Sequence, residues 1–224
     1  MPQPKHVMRL KTPSETTLAA DLQKYFDVCR EKLGMVPNVL RAYSLRPEKL
    51  RAFIALYNDL MLGDSGLSKL EREMVAVVVS SANRCYYCLV AHGQAVRRLS
   101  HDPELGELLV MNYRVAELPP RQRALLDFAW ELTLTPHLVG ESHRAALRQH
   151  GLSDEDLFDL ANVVGFFNMS NRVAGATDMM PNSEYHLLDR IPVPPATSTA
   201  GKVTKKVTGT SRRGSGTPSS RRDH

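Results

Sequence analysis

Cysteine is scarce in this chain: three among 224 residues, two of them in one tight pair. An odd count with a single close pair argues against a secreted scaffold held by disulfides. Long apolar runs are missing too. The longest strong one, Met74 to Val79, falls far short of the roughly 20 residues that a bilayer-spanning helix needs. Met1 to His6 contains no apolar targeting segment. These absences predict a cytoplasmic protein with no membrane partner. No stretch alternates apolar and polar residues between hairpin turns, so strands are not expected. There is no second Cys-x-x-Cys and no histidine pair at zinc-finger spacing. A zinc site on Cys85, Cys88, His92 and Glu73 is therefore the weaker reading, and no metal is expected.

Acidic residues are few at the C-terminal end. The formal net charge is +5, yet Lys202, Lys205, Lys206, Arg212, Arg213, Arg221 and Arg222 face only Asp223 there. The rest of the chain is close to neutral. From Pro192 onward the residues are mostly Pro, Ser, Thr, Gly, Lys and Arg, with almost nothing to bury. The division expected is a helical domain over 1–192 and a disordered basic tail over 193–224. The tail has no aromatic residues, so a solvated segment is the preferred reading and nucleic acid is not expected as a partner.

What is present is helical punctuation. Ser14 to Thr17 precedes an amphipathic stretch opening at Leu18, and Gly34 to Pro37 breaks it. A short helix is predicted over Val39 to Ser44. Pro47 starts another, with a broad apolar stripe through Leu50, Phe53, Ile54, Tyr57 and Met61. Ser68 and Glu71 form a capping-box signature ahead of a helix that is apolar nearly all round. Asn83 reads as the N-cap of the next helix. Further helices are predicted from Pro103 to about Asn112, Pro119/Pro120 to about Leu134, Glu141 to His150, and Asp154 to about Asn168. The fold class is all-α.

One segment concentrates the chemistry. In Cys85-Tyr86-Tyr87-Cys88-Leu89-Val90-Ala91-His92, a Cys-x-x-Cys pair is followed four residues later by a histidine, and Glu73 lies twelve positions before the pair. Cysteines three apart on a helix can reach one another, and a histidine one turn further shares their face. Amide dipoles at a helix N-terminus favour a thiolate. That position alone favours the more N-terminal Cys85. Glu73 falls in the first turns of a buried helix, where a carboxylate needs a partner. An attacking sulfur, a resolving sulfur and proton-moving groups are what redox thiol chemistry requires. Two inert buried cysteines are the bland alternative.

Glu73, Cys85, Cys88 and His92 at these spacings resemble the active-site pattern of alkylhydroperoxidase D-like (AhpD-like) proteins of the carboxymuconolactone decarboxylase superfamily. Gly34 to Val39, Leu67-Ser68 with Glu71 to Glu73, Phe166 to Asn168 with Asn171-Arg172, and Pro181 to His186 resemble the peroxidase-related subfamily. The resemblance spans about residues 10 to 190. It implies an AhpD-like helical fold and a peroxidase that reduces organic hydroperoxides without a cofactor. Cys88 would attack the peroxide and become a sulfenic acid, and Cys85 would resolve it to a Cys85–Cys88 disulfide. Glu73 and His92 would relay the proton, with an external dithiol as reductant and a homotrimer or homohexamer as the assembly. Tyr87 stands where the best-studied members have a second histidine. A phenol is a poor proton acceptor near neutral pH, so Tyr87 is expected to donate a hydrogen bond or to line a substrate pocket.

Other residues carry less. Cys29 reads as core filler. Trp130 also reads as core. Met35, Tyr43, Tyr57 and the turn from Gly34 to Pro37 are candidates for a pocket wall. A shift of 83 residues lays Glu73 on Asp156, Cys85 on Asn168 and Cys88 on Asn171. That reads either as an internal duplication whose second copy lost its sulfurs or as coincidence, with the asparagines capping helices and making buried hydrogen bonds. The same Cys-x-x-Cys also suits a thiol–disulfide exchange partner or a redox sensor. A lactone decarboxylase-like activity on this fold would not require the pair.

Overall fold

The computed structural model describes residues 3–191. The expected boundary after residue 192 and the basic segment 193–224 lie outside the described residues. Among the described residues there are nine α-helices and no strand. They are α1 (Ala20–Leu33), α2 (Asn38–Tyr43), α3 (Pro47–Leu62), α4 (Lys69–Ala82), α5 (Tyr86–Ser100), α6 (Pro103–Asn112), α7 (Pro120–Leu134), α8 (Glu141–Gln149) and α9 (Asp154–Ala176).

α4 is the axis of the molecule. Met74 to Val79 are entirely or almost entirely inaccessible, and α3, α5, α6, α7 and α9 all pack around the helix. This explains why its sequence is apolar on every face. Its start is set as the capping signature predicts. Ser68 Oγ accepts from the Glu71 amide, and Glu71 Oε2 accepts from the Ser68 amide. Arg121 Nε donates to the other Glu71 oxygen at 2.9 Å, tying α7 to the same turn. Gly106 on α6 sits so close to α5 that an added Cβ would lie 2.8 Å from Arg97 Cγ.

Three expectations are corrected. The first helix opens at Ala20, behind a 3₁₀ turn over Glu15–Thr17. Asn83 is not an N-cap; it is the C-cap of α4, and Cys85 caps α5. Its side chain is drawn elsewhere, donating to Asn168 Oδ1 and Asn171 Oδ1 at 3.0 Å each. Finally, α9 does not stop near Asn168 but runs 23 residues to Ala176. The asparagines do not cap anything. They hydrogen-bond from mid-helix, Asn168 to Thr133 and Asn171 to Ser80. The apolar-helix-then-junction pattern of α4 and α5 is therefore not repeated in α9.

Candidate functional site

The junction between α4 and α5 positions the dithiol. Arg84 adopts a left-handed φ of 54°, and the Cys85 amide donates back to Ser80 O at 2.9 Å. The chain reverses sharply, and α5 starts with Cys85 at its N-cap and Cys88 in its first turn. All three cysteines are free and buried. Cys85 and Cys88 lie near each other, close enough for each thiol to shift the other's acidity.

That interaction polarises the pair. Cys85 is lowered to about 7, first by the Cys88 side chain and then, against the cost of burial, by the amides of Cys88 and Tyr87 and by the nearby charge of His92. This is the thiolate position of a helix N-terminus. Cys88 is pushed well above the usual thiol value by the same interaction and by burial. Asn171 and Ser170 of α9 hydrogen-bond to its sulfur and act in the opposite direction. Within the pair, Cys85 is the more acidic thiol and Cys88 the less acidic.

Glu73 and His92 meet. His92 Nδ1 lies 2.6 Å from Glu73 Oε2, the two side chains being 13% and 11% exposed. The Phe167 ring packs edge-on against the imidazole with centroids 4.6 Å apart. Both residues line a cavity of about 380 Å³, and Cys88 forms part of the same wall. Cys85 does not line it, although both sulfurs belong to one buried cluster with Met8, Met35 and Met179.

The remaining expectations divide. Met35, Pro37 and Tyr57 line the cavity, whereas Tyr43 does not and stacks instead on Phe53 at 4.3 Å. Cys29 is core and cavity wall at once. Trp130 packs half-buried beside Tyr113, under the Arg114 guanidinium. Tyr87 lines the cavity, but its hydroxyl accepts a hydrogen bond, from the Val39 amide at 3.0 Å. Burial holds its pKa well above the ordinary phenol value, so it keeps its proton and takes no part as a base. Sequence reading missed Ser170, Phe167 and Tyr185. They come from α9 and from a 3₁₀ turn over Ser183–His186 that lies against α5. The one signal for them was the pair of phrases Phe166 to Asn168 and Pro181 to His186. Among the described residues no cluster of His, Cys, Asp and Glu has the makings of a metal site. No described helix is long and apolar enough to cross a membrane.

An all-helical unit with a dithiol at a helix N-terminus, beside a buried Glu–His pair, defines a class that comparison makes specific. The model of the carboxymuconolactone decarboxylase family matches residues 47–129, from α3 into α7. A solved structure of a peroxidase-related protein from Silicibacter sp. TM1040 is 62% identical. It is covered completely by 85% of this chain, with a TM-score of 0.82. A second, described as an alkylhydroperoxidase AhpD core and peroxidase-related protein from Ralstonia eutropha JMP134, is 42% identical with the same coverage and TM-score. YdfG of Bacillus subtilis (strain 168) is 22% identical over 133 residues, 59% of this chain and 88% of that protein. The chain belongs to the carboxymuconolactone decarboxylase family, among its AhpD-like, peroxidase-related members.

Proposed function

We propose that the protein is an oxidoreductase, a two-cysteine peroxidase that reduces organic hydroperoxides. The supporting observation is that Cys88 lines one cavity with the Glu73–His92 pair while Cys85, near it in the pair, does not line that cavity. A peroxide entering the cavity meets Cys88 first. Cys88 gives up its proton toward His92, which Glu73 orients, with a water completing the path. The thiolate attacks the outer peroxide oxygen; an S–O bond forms as the O–O bond breaks, and the alkoxide leaves with the relayed proton as an alcohol. The Cys85 thiolate then attacks the sulfenic sulfur, the S–S bond forms, and hydroxide departs. Two electrons pass from the dithiol to the peroxide, and an external dithiol returns them. The names of the peroxidase-related relatives support this reading over a decarboxylase.

Rapid mixing of the reduced protein with cumene hydroperoxide tests it. Thiol loss should follow peroxide concentration, and peptide mapping should find Cys85 joined to Cys88 with Cys29 still free. Cys29 in the oxidised pair would refute the assignment.

The depressed Cys85 thiol supports a second reading, in which Cys85 attacks a partner's disulfide as an exchange protein or sensor. On that reading the reduced protein would react faster with a small disulfide than with any hydroperoxide.

A further inference from the structure

The cavity is polarised along its length. On α5, Cys88, Ala91, His92, Ala95 and Arg98 all line it, a helical stripe that starts at the reactive sulfur. Ten residues separate Cys88 from Arg98, which is about 15 Å along a helix axis. Cys29 and Lys32 of α1 also line the cavity. The walls between are apolar, with Leu40, Phe53, Ile54, Phe166 and Phe167 among them. Cys88 and Phe167 are buried, whereas Lys32, Leu33, Arg98 and Leu188 are exposed. With Asp189, also exposed, this set marks the mouth, which carries two cations and one acid beside apolar side chains.

Those cations are uncommitted. Arg30, Arg51, Arg148 and Arg190 each pair with a carboxylate. Among the described residues, neither Lys32 nor Arg98 has a hydrogen-bond or ion-pair partner on its side chain. The two acids lining the cavity are already engaged: Glu73 by His92, and Asp189 by the Gln94 amide with Arg97 close by. An anion at the mouth therefore meets two cations against the one Asp189 carboxylate, and behind them apolar side chains interspersed with Tyr57, Tyr87 and the Glu73–His92 pair on the way to a sulfur.

We propose that the cavity takes hydroperoxides carried on amphipathic carboxylic acids, with Arg98 and Lys32 holding the carboxylate at the mouth and the apolar chain carrying the peroxide down to Cys88. Arg98 presents the planar donor set that suits a carboxylate; Lys32 adds a point charge. The inference rests on the peroxidase reading and narrows its substrate.

The test uses the reduced full-length protein and three probes below their aggregation concentrations: linoleic acid hydroperoxide, its methyl ester, and cumene hydroperoxide. Single-turnover oxidation of Cys88 should be faster with the acid than with the ester, and salt should erode the difference by screening. Arg98→Gln and Lys32→Gln should each reduce the acid-to-ester rate ratio about three- to tenfold, as expected for a charge-assisted contact at a partly exposed site. Arg98→Lys should retain part of the preference. Dodecanoate should inhibit competitively and its methyl ester should not. Equal rates for acid and ester, indifferent to salt and to both substitutions, would overturn the carboxylate anchor and leave the peroxidase reading standing. Failure of all three hydroperoxides to oxidise Cys88 would overturn both.

Discussion

At the scale of single residues, two sulfurs three positions apart have opposite environments. Cys85 is the more acidic thiol, lowered to about 7 by its interaction with Cys88 and by the amides at the start of α5. Cys88 is the sulfur that faces the cavity. Their interaction is the largest influence on Cys85, so Cys88→Ala should move the Cys85 titration up from about 7 toward the ordinary thiol value. Alkylation rate against pH would read this, and an unmoved titration near 7 would refute the coupling. The proton on Cys88 needs an acceptor, and the Glu73–His92 pair is placed to serve. Glu73→Gln and His92→Phe should each slow peroxide reduction at neutral pH by roughly 10²- to 10⁴-fold. The double variant should lose little more than either single one. The defect should shrink as pH rises, because hydroxide then makes the thiolate directly. Wild-type rates at pH 7 for Glu73→Gln would make Glu73 a structural acid.

At the scale of elements, distant phrases of the sequence turn out to be neighbours. The turn from Gly34 to Asn38 and the segment Met180 to Asn182 are clamped together. The Asn38 amide donates to Asn182 Oδ1 at 2.7 Å, Asn182 Nδ2 to Val36 O at 3.0 Å, and Asn38 Nδ2 to Met180 O at 2.9 Å. This clamp holds the Met35–Pro37 wall of the cavity. Asn182→Ala would strand a buried amide and a carbonyl, at a cost of about 1–3 kcal/mol, measurable by urea denaturation. No change in the midpoint would contradict the clamp. Local signals made most helices legible: Pro47, Pro103 and Pro120 at their starts, and Ser68 as a cap. The quartet Glu73, Cys85, Cys88 and His92 was legible because it sits within twenty residues. Asn83 and the end of α9 were misread because their side chains answer to partners some 85 residues away. Ser170, Phe167 and Tyr185 were missed for the same reason: the phrases around them marked a resemblance, and only the fold brings them to the cavity.

At the scale of the whole molecule, α4 supplies the rigid axis, α5 carries the sulfurs, and α1, α3, α9 and the turn at Ser183–His186 close the cavity around them. The two sulfurs differ in place: Cys88 lines the cavity and Cys85 does not. Acidity and access therefore point to different cysteines, and only trapping the first oxidised sulfur separates them. The full-length variants Cys85→Ser and Cys88→Ser, reduced and then exposed to cumene hydroperoxide in the presence of dimedone, give that answer by mass spectrometry. Cys85→Ser should carry the adduct on Cys88, and Cys88→Ser should carry none. An adduct on Cys85 in Cys88→Ser, with none on Cys88 in Cys85→Ser, would reverse the roles and contradict the account.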